Sequence, residues 1–210
     1  MSIIVTGSTG GIGSCIQSKL VSANIDVIAL TRDLCDLNDA TSVCSMSNID
    51  GLIYCAGINI PAEYKSVSLE NMTNTMQTNC LSFVSLCQSI NFNEGANIIA
   101  IGSLYATETR AGRLAYTMSK HAMLGAIKTL AIEMSKCKIK INMISPGFVL
   151  TPLTEKNNSV DRIQQLQNSI PLGMTTPNDI AEICEFLVTK NHSITGQNII
   201  IDGGYSLLGI

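Results

Sequence analysis

No block of basic residues runs anywhere in the sequence, and 13 lysines and arginines against 16 aspartates and glutamates leave a net charge of −3. A nucleic-acid-binding chain needs a concentrated positive surface to meet the phosphates, so nucleic acid is not an expected partner. Long apolar runs are missing too. None reaches the roughly 18–20 residues that cross a bilayer as a helix. The opening Met1-Ser2-Ile3-Ile4-Val5-Thr6-Gly7 lacks the basic start and small-residue cleavage site of a secretory leader. The expectation is a cytoplasmic protein with no membrane partner. The eight cysteines (Cys15, Cys35, Cys44, Cys55, Cys80, Cys87, Cys137, Cys184) form no Cys-x-x-Cys pair, and the two histidines, His121 and His192, form no cluster with them. Metal-ligand spacing is therefore absent and no metal site is expected. Cysteines inside apolar runs read instead as reduced small hydrophobes. No linker, internal repeat or low-complexity tract breaks the chain.

What is present is a large supply of apolar residues, 46% of 210, enough for residues 1–210 to form one well-buried domain and too few residues for two. Short β-rich runs alternate with longer helical stretches, the pattern of βαβ units on a parallel sheet. Strands are expected at Ile3–Thr6, Val27–Thr31, Gly51–Cys55, Asn97–Ile101, Lys140–Ile144 and Gln197–Ile201. Helices are expected from Gly11 to about Ala23, Leu69 to Ile90, Leu114 to Cys137 and Asn178 to Val188, the last announced by Pro177-Asn178-Asp179. In the polar segment Thr154–Ser169, Val160, Ile163, Leu166 and Ile170 recur at helical spacing and predict a small amphipathic helix over a cleft or on the surface.

Between the first strand and first helix lies Thr6-Gly7-Ser8-Thr9-Gly10-Gly11-Ile12-Gly13. Glycines there permit a tight turn and a close backbone approach, and the helix start offers unpaired N–H groups to an anion. Tyr116 and Lys120 lie one helical turn apart, on one face. A tyrosine is too weak an acid, near 10, to serve as a base at neutral pH. A neighbouring ammonium favours the phenolate, so Lys120 is expected to lower Tyr116 into a range where it exchanges protons with a carbonyl or alcohol oxygen. Ser103, at the end of a strand, would hold that oxygen.

These residues stand in an order that resembles the short-chain dehydrogenase/reductase family in its compact single-domain form. Thr6-Gly7 with Gly11 and Gly13 matches the family's cofactor fingerprint, and Cys55-Ala56-Gly57 stands where the family has Asn-Ala-Gly. Asn79, Ser103, Tyr116-x-x-x-Lys120, Asn142, Pro146-Gly147, Thr195-Gly196-Gln197 and Asp202-Gly203-Gly204 follow in the family's sequence. The resemblance implies a Rossmann-like doubly wound α/β sheet flanked by helices and a nicotinamide cofactor. It implies a catalytic set of Asn79, Ser103, Tyr116 and Lys120, with Asn79 linking Lys120 to solvent through water. It also implies cofactor contacts from Gly7, Thr9, Gly11, Ile12, Gly13, Asp36, Leu37, Cys55, Ala56, Gly57, Tyr116, Lys120, Pro146, Gly147, Val149 and Thr151. Tyr54-Cys55, where relatives often carry two asparagines, and Gly102, where they often carry serine, depart from the pattern.

The stretch after the second strand departs further. Only a few residues separate it from Asp36-Leu37-Asn38-Asp39, whereas a parallel crossover takes about a dozen or more. The usual third strand and its preceding helix are therefore expected to be missing. That leaves a sheet one strand shorter than usual and a more open adenosine pocket.

By resemblance the partners are a small carbonyl or alcohol substrate and further copies of the chain, as a homodimer or homotetramer. The 3-oxoacyl-[acyl-carrier-protein] reductases are nearest in pattern, with sugar and polyol dehydrogenases sharing the motifs. Enoyl reductases of the superfamily use a longer tyrosine–lysine spacing, and extended epimerases need a larger C-terminal half. The alternative of another class is an NADP-binding sensor with little or no catalysis. The cofactor choice rests on Leu30-Thr31-Arg32, where NAD enzymes place an acidic residue. Arg32 favours NADP(H) over NAD(H), because a guanidinium pairs well with a 2′-phosphate. Dissociation constants for NADPH and NADH, compared in wild type and Arg32→Ala, test this. The substitution is expected to erase the preference for NADPH, and unchanged discrimination overturns the reading.

Overall fold

In the computed structural model, residues 1–31, 35–37 and 46–208 are described, apart from the side chains of 153, 156 and 157. Six parallel strands form one sheet in the order β2-β1-β3-β4-β5-β6. They are β1 (Ser2–Thr6), β2 (Asp26–Leu30), β3 (Ser47–Tyr54), β4 (Asn91–Ile101), β5 (Lys140–Pro146) and β6 (Asn198–Ile201). The helices are α1 (Gly11–Ser22), α2 (Leu69–Met76), α3 (Ser82–Ser89), α4 (Leu114–Glu133), α5 (Pro152–Asn157), α6 (Val160–Ser169) and α7 (Pro177–Thr189). This is the expected Rossmann-like architecture, and among the described residues no strand lies beyond β2. No helix among them is long and apolar enough to cross a membrane. None of the described histidine, cysteine, aspartate and glutamate side chains form a group of three or more able to hold a metal ion.

Strand side chains alternate between the two faces, and each face meets helices. Ile4, Leu52, Tyr54, Ile98 and Ala100 pack under α3 and α4, whereas Ile3, Val5, Ile53, Ile99 and Ile101 pack under α1 and α7. Cys80 and Cys87 join the first layer and Cys184 the second as small apolar side chains.

Local chemistry sets the helix ends. After α1, Asn24 takes a left-handed φ of 59°. Its N–H donates to Val21 and that of Ile25 to Leu20, a Schellman turn closed by the buried Leu20–Ile25 contact. Thr176 and Asp179 cap α7 reciprocally, with Pro177 in its first turn.

Two elements differ from the sequence expectation. β4 begins at Asn91 instead of Asn97, pairing Asn91 and Phe92 with Ser47 and Ile49 through register irregularities. The predicted single helix over Leu69–Ile90 is three pieces, because Gln77–Leu81 between α2 and α3 forms a π-helical turn. Such a turn widens the helix by one residue and is frequent at functional sites. The turn carries Asn79, and it is anchored by Tyr54. The Tyr54 hydroxyl donates to the Thr78 carbonyl, and its ring meets Phe83 edge-on at 5.5 Å between centroids. Tyr54 is wholly buried, so its phenol has no water to fall back on. Tyr54→Phe is expected to lower stability by about 1–2 kcal/mol by removing this bond from a dry site. Urea denaturation reads it, and an unshifted midpoint overturns it.

Candidate active site

Register brings the site together. Thr6 pairs with Tyr54, Tyr54 with Ala100, Ile101 with Ile144 and Pro146 with Ile201. The carboxyl ends of β1, β3, β4 and β5 therefore lie side by side, and the segments leaving them (Gly7, Cys55, Gly102 and Gly147) meet in one crevice. Open parallel sheets bind ligands in such a crevice. Here it is a cavity of about 280 Å³.

The β1–α1 turn forms one wall. Gly7 has φ +64°, and a Cβ there would lie 2.8 Å from the Ala56 amide nitrogen. The Thr6 hydroxyl accepts from the N–H groups of Cys55 and Ala56 at 3.1 and 3.2 Å, fastening the two turns together. A Cβ on Gly13 would stand 2.2 Å from the Gly7 carbonyl oxygen, so α1 packs directly on the turn. No side chain caps α1, and its first turn holds no acidic residue. Gly10, Gly11, Ile12 and Gly13 line the cavity, leaving an uncapped positive helix end at its floor. That arrangement suits a dinucleotide pyrophosphate.

Tyr116 and Lys120, on α4, line the same cavity. The small residues Ala115 and Ser119 bring this helix close enough to bury Lys120. The Lys120 ammonium donates to the Ile101 carbonyl at 2.8 Å and lies 5.6 Å from the Tyr116 ring centroid. Burial pushes its pKa down from 10.5 to about 8.

Tyr116 does not follow the sequence expectation. Burial lifts it from 10.0 to about 12, and a side-chain hydrogen bond with Ser103 offsets only part of that. The expected lowering combined the Lys120 charge with that of an oxidised nicotinamide, whereas among the protein's own groups desolvation acts on phenol and ammonium together and dominates. The ammonium is also engaged with the Ile101 carbonyl. The protein's own groups therefore keep Tyr116 a neutral phenol at pH 7. Ser103 also accepts from the Tyr105 N–H at 3.2 Å, and the Tyr105 ring stands edge-on to Tyr116 at 6.0 Å.

Asn79 is fully buried. Its side chain accepts from the Ile58 N–H at 2.8 Å and donates to the Ile58 carbonyl and the Ser119 hydroxyl, both at 2.9 Å. It fastens the segment after Gly57 to α4 and touches the reacting pair only through these partners. Cys55, Ala56, Gly57, Pro146, Gly147, Val149 and Thr151 line the cavity as expected. The Thr151 side chain lies against Gly11, whose added Cβ would be 3.1 Å away. It also caps α5 by accepting from the Thr154 N–H at 3.3 Å.

Thr9 is exposed on the turn and is not part of the cavity wall. Asp36 is exposed and Leu37 half-buried, away from this cavity, and Arg32 lies outside the described residues. Asn142 and Asp202, quoted among the motifs, serve the frame. Asn142 holds Ile194 and Gln197, and Asp202 accepts from the Gly204 and Ser206 N–H groups. Gly102 replaces the family's serine because a Cβ there would sit 2.5 Å from the Met143 sulfur. Sequence reasoning missed Ile58, Asn59, Thr154 and Asn158 in the wall. Ile58, Asn59 and Asn158 lie on irregular segments and Thr154 in the short α5, where spacing says little about direction.

The comparisons agree with this geometry. A family model described as Enoyl-(Acyl carrier protein) reductase matches residues 14–206. A 3-oxoacyl-[acyl-carrier-protein] reductase, FabG, of Buchnera aphidicola is 28% identical over 235 residues, covering 97% of this chain and 96% of that protein. A crystal structure of a short chain dehydrogenase family protein from Francisella tularensis superposes with a TM-score of 0.88, at 27% identity and 98% coverage of both chains. A putative NAD(P) dependent gluconate 5-dehydrogenase from Beutenbergia cavernae with bound NADP gives 0.90, at 25% identity and 98% and 96% coverage. A 4-hydroxyisoleucine dehydrogenase complexed with NADH gives 0.83, at 26% identity and 98% coverage of both.

Proposed function

The chain belongs to the short-chain dehydrogenase/reductase family, and from that premise we propose that it is an NADP(H)-dependent oxidoreductase interconverting a carbonyl and a secondary alcohol. Its substrate is either a 3-oxoacyl thioester or a sugar or polyol. The observation that carries the reading is that Ser103, Tyr116 and Lys120 line the same crevice as the glycine turn. A bound nicotinamide supplies or takes the hydride. The protein's residues handle the oxygen and its proton. Gly7, Gly11, Ile12 and Gly13 would hold the pyrophosphate, while Cys55–Gly57, Pro146, Gly147, Val149 and Thr151 would flank the remainder. Asp36, Leu37 and Arg32 are assigned to the adenosine end, and Arg32 supports NADP over NAD.

In reduction, Ser103 donates a hydrogen bond to the carbonyl oxygen and Tyr116 delivers its proton to that oxygen. A phenol held neutral is ready for this step, and the Lys120 ammonium stabilises the phenolate left behind. Oxidation runs the same proton transfer backward, with the Tyr116 phenolate taking the alcohol proton. Asn79 acts by holding the segment after Gly57 and Ser119, and hence α4, in place. The three-residue gap between Tyr116 and Lys120 supports carbonyl over enoyl reduction, despite the matching family model's description. A homodimer or homotetramer in the cytoplasm completes the proposal.

NADPH consumption against acetoacetyl thioesters, ketoses and crotonyl thioesters tests the reading. Carbonyl compounds are expected to be consumed and crotonyl thioesters not. Binding of NADPH without consumption on the whole panel would instead support a sensor. Tyr116→Phe is expected to lower kcat by at least about a hundredfold, the usual value of a positioned acid, with NADPH affinity retained. Near-normal turnover in that variant refutes the assignment. The pH profile follows from Lys120. Its charge is complete well below about 8 and is lost as pH rises through that value. The kcat/KM for reduction should therefore be level on the acid side and fall on the alkaline side. A profile level to pH 10 removes Lys120 from the proton step.

A further inference from the structure

A second cavity, of about 560 Å³, opens from the same Ser103 and runs away from the glycine turn. Its walls include the apolar faces of Phe148 and Tyr205, which meet edge-on at 5.1 Å. Its charged residues are Arg110, Arg162 and Glu108. Arg110 belongs to both cavities, so it sits where they join, while Arg162 lines the second cavity from α6.

Among the described residues, neither guanidinium forms a salt bridge or a side-chain hydrogen bond. The only ion pairs among the described residues involve Met1, Lys19 and Lys138. Arg113 differs, because it donates to the Asn59 side chain at 3.0 Å and so holds the cavity rim. The sequence has only four arginines, Arg32, Arg110, Arg113 and Arg162, and three of them line these two cavities. A chain of net charge −3 thus places most of its planar, always-charged donors around one cleft. Glu108 is the single acidic residue there, so the second cavity remains cationic at neutral pH. A guanidinium is the group best matched to the two oxygens of a carboxylate or phosphate. Arg110 is exposed and Arg162 half-buried, so both guanidinium groups are reachable from solvent and the gain for an anion is that of a partly screened pair.

We propose that the second cavity is an anion subsite: the substrate carries a carboxylate or phosphate, seated between Arg110 and Arg162, while its carbonyl lies at Ser103 and Tyr116. This rests on the oxidoreductase reading and narrows it to acidic oxo compounds, including thioesters of phosphate-bearing carriers. Glu108 opposes the anion and limits its affinity.

The test compares three anions with neutral counterparts: acetoacetate with methyl acetoacetate, levulinate with methyl levulinate, and dihydroxyacetone phosphate with dihydroxyacetone. Calorimetric affinities are taken with and without NADPH, for wild type, Arg110→Met, Arg162→Met and Glu108→Gln. Methionine keeps an apolar stem against the cavity wall, and unchanged thermal midpoints establish that the variants fold.

At least one anion is expected to bind about tenfold or more tighter than its neutral partner, as a charged hydrogen-bond pair gives. Whether that anion is the acid or the phosphate names the source. Each arginine substitution should collapse the advantage, whereas Glu108→Gln should increase it by about threefold. Equal binding of every anion and its neutral partner overturns the subsite, and so does an advantage that survives both arginine substitutions. NADPH consumption is read separately. An anion advantage without consumption keeps the subsite and removes the oxidoreductase reading, whereas consumption without the advantage does the reverse.

Discussion

The site depends on keeping one ammonium group dry. Moving a lysine charge out of water is expensive unless oxygen atoms replace its hydration. Here the Ile101 carbonyl at 2.8 Å and the face of the Tyr116 ring do part of that work. The remainder appears as a pKa drawn down to about 8. Such an arrangement is possible only because α4 lies close against the sheet. Ala115, Ser119, Met123 and Ile127 form a buried stripe at four-residue spacing, with the smallest of them beside the reacting pair. The same closeness lets Ser119 meet Asn79. One packing choice therefore sets the lysine's charge state, the tyrosine's orientation and the attachment of the segment after Gly57.

Most of the fold could be read from the sequence. Apolar runs of four or five residues alternating with helices can be buried in few ways, and a glycine turn directly after the first strand fixes the direction of the first helix. The Tyr116–Lys120 spacing was equally legible, because a four-residue interval on a helix sets a common face whatever surrounds it. The shortage of residues after the second strand was visible too, and among the described residues no strand lies beyond β2.

The rest was hidden because it depends on distant partners. The π-helical turn at Gln77–Leu81 leaves the apolar periodicity almost unchanged. It is stabilised by a phenol from β3, more than twenty residues earlier, donating to Thr78. Tyr54 read as a departure from the family pattern, whereas it is what supports the turn carrying Asn79. Tyr116 was misjudged for a related reason. Sequence spacing shows which charge is near, but not how much water has been removed, and here desolvation outweighs the hydrogen bond from Ser103. Arg162 was invisible as a site residue because its place over the second cavity is set by Leu166 and Ile170 packing on Phe148 and Tyr205.

The shortened adenosine side connects back to that turn. Cys35 and Leu37 add apolar surface to the layer beneath α3 and α4. The Leu37 carbonyl accepts from the Ser82 hydroxyl and, at 3.4 Å, from the Gln77 side chain. Those two residues bracket the π-helical turn. Residues 35–37 are thus bonded to the element that presents Asn79. Because Leu37, Ser82, the turn, Asn79 and Ile58 are linked by successive hydrogen bonds and chain connectivity, the segment at residues 35–37 and the wall of the crevice after Gly57 are mechanically one unit.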